Sequence, residues 1–166
     1  MRGITKRVLI GLIGFIVLHP APAHEAVPDT LTEQEVRKFM TEDDGTATVR
    51  EWKQRTSMLE KVSDGAKISL TMGGREIKMT GAEAKRTAWV GYKDHMVVTV
   101  RTVVQSVAIS GDRAQVSYKS ETTILDPVTQ ERGNISERGV LIVQKKGGKL
   151  TEIERKAQAS SSAGTR

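Results

Sequence analysis

Few residues of this chain combine an ionisable or hydroxyl side chain with an apolar setting. Its three histidines are His19, His24 and His95, and His95 opens a run rich in β-branched residues. Tyr118, Ser120 and Thr122 occupy alternate positions of a second such run, so in a strand they share one face. Proton abstraction beside a carbonyl needs a base and a donor that steadies the enolate oxygen. His95 and Tyr118 are the right types for those two roles, and Glu121 and Glu152 are the strand acids to weigh beside them. No spacing joins any of these into one motif, and glutamate on a strand most often faces water. Catalytic residues therefore stay unassigned, and the chain leans away from being an enzyme. As a binding set, Trp89, Tyr92, His95, Tyr118, Ser120 and Thr122 have the chemistry of a ligand pocket, apolar walls with a few polar groups. Ordinary packing explains Trp89 and Tyr118 as well, and simple exposure explains His95.

Two metal readings fail on their own chemistry. Asp44 to Glu51 has the glycine bend and the later glutamate of a calcium loop. However, the first ligand position falls on Met40 and the apolar eighth on Ala47, which leaves about half of the six to eight oxygens calcium takes. A turn capped by Thr48 accounts for the segment. His24 would become the first residue of a cleaved chain, and its amine and imidazole suit copper. His95 is the only second imidazole left, and nothing in the sequence brings it near. No metal or other cofactor is expected.

The N-terminus sets the compartment. Arg2, Lys6 and Arg7 precede an apolar run from Val8 to Leu18, and Ala21-Pro22-Ala23 follows as a small-x-small site. That order is a cleavable signal peptide over residues 1–23. The apolar run is too short for a spanning helix, which needs about 20 residues. Export to the periplasm or the medium is the expectation, with no stable membrane anchor after cleavage. Loss of Arg2, Lys6 and Arg7 would lower the 26 basic residues to 23 against 20 acids, changing the net charge from +6 to +3. A charge so small and so dispersed argues against nucleic acid as a partner. With no cysteine, disulfides, thiol chemistry and cysteine-held metals are excluded.

Residues 24–30 read as a lead-in and 31–156 as one domain. Three threonine–glutamate pairs, Thr32 with Glu35, Thr48 with Glu51 and Thr80 with Glu83, have the spacing of a capping box, in which hydroxyl and carboxylate satisfy orphan backbone N–H groups. They predict three helices. The second carries Val49, Trp52, Thr56, Leu59 and Val62 on one face and ends at Ser63-Asp64-Gly65; the third spans about Ala82 to Tyr92. Between them, Lys67–Met72 and Arg75–Met79 flank Gly73-Gly74 as a hairpin. Four strands follow: about His95–Ile109, Ala114–Leu125, Ile135–Val143 and Leu150–Lys156. Val140 to Val143 is apolar on both faces, as in a central strand. The polar stretch 157–166 is expected to be a disordered tail.

Helices followed by an antiparallel meander make an α+β domain. This element order, with the Ile109–Val116 turn and the closing Gly147-Gly148-Lys149-Leu150, resembles the NTF2-like superfamily of cone-shaped domains, which includes SnoaL-like cyclases and ketosteroid isomerases. The resemblance implies three N-terminal helices and a hairpin packed against a curved antiparallel sheet, a pocket at the open end and possible homodimerisation through the sheet. It implies no single activity, because the scaffold serves enzymes, binders and assembly subunits. The leading expectation is a non-catalytic exported domain that binds a small apolar ligand or a partner protein. The alternatives are a SnoaL-like enzyme acting on a hydrophobic carbonyl compound and a structural subunit of a cell-envelope complex.

Overall fold

The computed structural model describes residues 30–55 and 59–164. Each predicted helix start is in place. In α1 (Glu33–Thr41), α2 (Val49–Gln54) and α3 (Gly81–Thr87), the cap threonine accepts from the backbone N–H three residues on, and that residue's glutamate accepts from the cap N–H. Six orphan donors are thereby satisfied locally. Between α1 and α2 lies a short strand the sequence did not announce, β1 (Gly45–Thr48). Asp44 precedes it and accepts from Thr102 N–H at 2.8 Å, while Glu51 completes the α2 cap. Both ends of the calcium-loop segment are thus committed to holding backbone.

The other strands are β2 (Val62–Met72), β3 (Arg75–Thr80), β4 (Val97–Ser110), β5 (Arg113–Leu125), β6 (Arg132–Lys146) and β7 (Lys149–Gly164). They form one curved sheet in the order β1-β4-β5-β6-β7-β2-β3. The β4–β7 meander is antiparallel, and the β2–β3 hairpin, turning at Gly73-Gly74, joins it through a parallel pairing of β2 with β7. The apolar stretch of β6 lies at the centre of the sheet, as its composition requires.

Three boundaries differ from the sequence reading. The second helix does not run to Val62: α2 stops at Gln54, and Val62 starts β2 opposite Glu152. A strand partner there takes Val62 out of the helical spacing, although Leu59 and Glu60 are helical. The third helix ends at Thr87, whose hydroxyl bonds back to the carbonyls of Glu83 and Ala84, and Trp89 and Tyr92 lie in the turns beyond it. The polar tail is not disordered from Ala157. β7 continues to Gly164, paired with β6 from Gly139 to Arg132, because backbone pairing with an existing strand needs no apolar side chains. The signal peptide and all but the last residue of the lead-in lie outside the described residues.

Two apolar clusters pack against the inner face. One joins Leu31 and Val36 of the α1 region to Ala114, Val116, Tyr118, Leu141 and Val143; the other joins Ala47, Val49, Trp52 and Val98, with Trp89 and Tyr92 against it. Trp52 donates its indole N–H to the Val98 carbonyl at 3.1 Å. The start of α3 abuts β2 so closely that a Cβ on Gly81 would lie 1.9 Å from the Ser63 carbonyl oxygen. This contact fixes one wall of the space described next.

Candidate functional site

A cavity of about 390 Å³ lies between the inner sheet face, the end of α1 and α3. Its walls are mostly apolar, with Phe39, Met40, Leu70, Met79, Val100 and Leu141 among them. That size and lining suit a small organic molecule.

Tyr118, Glu137, Glu152 and Arg155 gather along one side. Tyr118 and Glu137 reach it by ordinary strand alternation: Tyr118 follows Ala114 and Val116 on β5, and Glu137 shares the β6 face with Leu141 and Val143. Glu152 and Arg155 are three residues apart, a spacing that in a regular strand points to opposite faces. A bulge resolves this. Ile142 pairs with Glu154 and Val143 with Glu152, so Ile153 is an extra residue and both side chains turn inward.

The bonding is tight. Arg155 grips Glu152 through both arms of its fork, Nε to Oε1 at 2.9 Å and Nη2 to Oε2 at 2.6 Å. Its remaining nitrogen lies 3.5 Å from Glu137 Oε1. Tyr118 donates its hydroxyl to that same Glu137 oxygen. Glu152 and Tyr118 are each only 3% exposed, while the Glu137 side chain keeps 20%. Burial pushes the Tyr118 phenol well above its ordinary value; Glu137 and Glu152 add to this and Arg155 opposes it. Burial disfavours the Arg155 charge, but Glu152 more than reverses that and the guanidinium is held protonated. The phenol is thus a permanent donor and the guanidinium a permanent cation.

Of the six residues marked from sequence, Tyr118, Ser120 and Thr122 line this cavity. Trp89 and Tyr92 do not; they stack edge to face, with centroids 6.3 Å apart, against the cluster around Trp52. Trp89 Nε1 is buried without an acceptor among the described residues. His95 lies elsewhere, its side chain 44% exposed, with Nε2 3.1 Å from Asp126. The pairing of His95 with Tyr118 is therefore not formed. Glu121 faces outward and exposed, whereas Glu152, the other strand acid weighed, is buried in the site. Glu137 and Arg155 were missed. The parity of Glu137 with Leu141 and Val143 was the available signal, and for Arg155 there was none without the bulge.

Asp126 is a structural centre in its own right. Buried at 2% exposure, it accepts from the backbone N–H of Val128 and Thr129 and from Lys93 and His95, tying the β5–β6 loop to the turn before β4. Burial raises its pKa, but these bonds outweigh burial and hold it at about 2 against an ordinary 3.8. A depressed carboxylate contributes stability that is complete above its unfolded value and is lost as pH falls through its folded value. Thermal melts from pH 3.8 down to about 2 should therefore show the native chain losing more stability than Asp126→Asn. Parallel slopes would remove Asp126 from this role.

No family model matches the chain, and no curated protein matches it in sequence. Solved structures do resemble it. A protein assigned as a scytalone dehydratase from Novosphingobium aromaticivorans aligns over 81% of this chain and 85% of its own, at TM-score 0.56 and 10% identity. One assigned as a calcium/calmodulin-dependent protein kinase II association domain, from Xanthomonas campestris, aligns over 81% and 91%, at TM-score 0.50 and 12% identity. An NTF2-like protein of unknown function from Shewanella baltica covers 82% of this chain at TM-score 0.44 and 11% identity, too weak a likeness to add weight. The chain has an NTF2-like fold. Identities this low speak to fold alone.

Proposed function

We propose that this chain is an exported, non-catalytic NTF2-like domain that binds a small, largely apolar molecule in the cavity between sheet and helices. One observation carries the reading: an apolar space of about 390 Å³ flanked by a part-buried, internally bonded group of polar side chains. Apolar burial supplies affinity and the polar side supplies orientation. Export rests on the residue pattern of positions 1–23. Among the described residues no helix is long and apolar enough to cross a membrane.

The enzyme alternative draws on the same geometry. Glu137 is a carboxylate on the cavity wall beside a phenol that stays protonated, the two components of carbonyl enolisation. Against it, Tyr118 already donates its hydroxyl hydrogen bond to Glu137, so the phenol is not free to serve an enolate oxygen. The envelope-subunit alternative calls for a broad exposed apolar patch. Among the described residues, the large exposed apolar side chains instead sit on separate segments, Ile77 on β3, Val90 after α3, Val103 and Ile109 on β4, and Val128 in the β5–β6 loop. Homodimerisation through the sheet remains a proposal drawn from the scaffold.

Blocking the cavity tests the reading. Ala84 of α3 lines it, and Ala84→Phe would place a ring in that space. An apolar fluorescent probe such as N-phenyl-1-naphthylamine should bind the native chain and lose at least about tenfold in affinity to the variant. Equal binding by both would place the probe elsewhere and remove the cavity from the account.

A further inference from the structure

The charge balance of the cavity wall says which kind of polar group the ligand brings. Four carboxylates line the space, Asp43, Asp44, Glu137 and Glu152, against three cations, Lys61, Lys85 and Arg155. Every one of those cations is already committed. Lys61 binds the Phe39 carbonyl, Glu42 and Asp43; Lys85 binds Asp64 at 2.6 Å; Arg155 is held in a two-armed pair by Glu152. Asp44 accepts from Thr102 N–H on one oxygen, at the far end of the space from the ionic group.

Within the ionic group, Glu137 is the carboxylate that keeps an oxygen open. Both of its contacts, from Tyr118 and from the distant arm of Arg155, fall on Oε1. Oε2 accepts from no described group. Within the group of four, two carboxylates share one guanidinium, so a negative charge is left over on the cavity wall, where the Glu137 side chain keeps only 20% exposure. A largely shielded charge gains from a closer counter-charge. Tyr118 spends its only hydroxyl hydrogen on the bond to Glu137, so toward a guest both residues present lone pairs.

We propose, building on the cavity as a ligand site, that its occupant carries a hydrogen-bond-donating cation, an ammonium on an apolar body, seated on Glu137. An ammonium supplies the missing charge and makes a charge-assisted bond to Oε2. A carboxylate or phosphate ligand would add to the excess and find every cation engaged. Arg155 acts as a positioning residue: it neutralises Glu152 and leaves Glu137 for the guest.

The test compares three head groups on one apolar chain. Octylamine, octan-1-ol and octanoate are titrated calorimetrically into the full chain at neutral pH. Octylammonium should bind at least about tenfold more tightly than octanoate, with octanol between them. Glu137→Gln should erase the amine preference while octanol still binds. Octanoate binding as tightly as the amine, or an amine preference that survives Glu137→Gln, overturns the inference and leaves the cavity reading standing. Failure of all three to bind removes the cavity reading and this inference with it. Should Glu137→Gln not fold, the head-group order on the unaltered chain decides alone.

Discussion

Arg155→Met should destabilise the protein by about 3–5 kcal/mol, the cost of stranding a buried carboxylate without its partner. Glu152 is 3% exposed, and its carboxylate depends on the two arms of the Arg155 fork. Remove the fork and Glu152 must keep an unpaired charge, take up a proton or drag water inward. Each route costs free energy. The double replacement Glu152→Leu with Arg155→Met should behave differently. Buried ion pairs exchanged for apolar residues of similar volume are often neutral or stabilising, by about 1–4 kcal/mol. Urea midpoints of the native chain, the single variant and the double variant read the difference directly. If the single and double variants are equally mild, Glu152 is not buried as described. The contrast also bears on function: a double variant that folds well but loses its amine preference would show that the ionic group serves recognition rather than stability.

Gly139→Ala is the second large effect. On β6, Gly139 sits opposite Tyr118 of β5 and Ala157 of β7. A Cβ there would lie 2.4 Å from the Lys156 carbonyl oxygen and 2.7 Å from both Ala157 Cα and its methyl. Two of those three atoms are main chain, so no side-chain rotation relieves the clash and β7 itself must move. Overpacking of this sort costs about 1–3 kcal/mol when side chains can yield, and here they cannot, so the upper end is expected. The shift would also carry Arg155 and Ala157 away from Tyr118, so probe binding should fall along with stability. An alanine variant with native stability and binding would show that β6 and β7 have slack at this point.

How much of this was legible depended on how local the signal was. The three capping boxes were read correctly because each is closed within four residues, Thr32 to Glu35 being the pattern for the others. β4, β5 and the β2–β3 hairpin were legible because alternation and Gly73-Gly74 determine them. The end of α2 was not, since Val62 keeps a helical period with Leu59 but belongs to a strand partner far along the chain. Small polar residues after Ala157 looked like a tail because composition reports side chains, and β7 is extended by backbone bonds to β6. The cavity was half legible. Tyr118, Ser120 and Thr122 follow one parity, and Glu137 follows another that the apolar run beside it obscured. Glu152 and Arg155 required the bulge at Ile153, a register feature that no single strand encodes.

The central claim is that the cavity beside Glu137 holds a small molecule, and native mass spectrometry tests it most directly. The chain would be purified from its own host without extraction by solvent, alongside Glu137→Gln and Ala84→Phe. The account predicts a small-molecule mass excess on the native chain that disappears on denaturation, is reduced in Glu137→Gln and is absent from Ala84→Phe. A clean polypeptide mass for the native chain, or an adduct retained equally by all three, would contradict it.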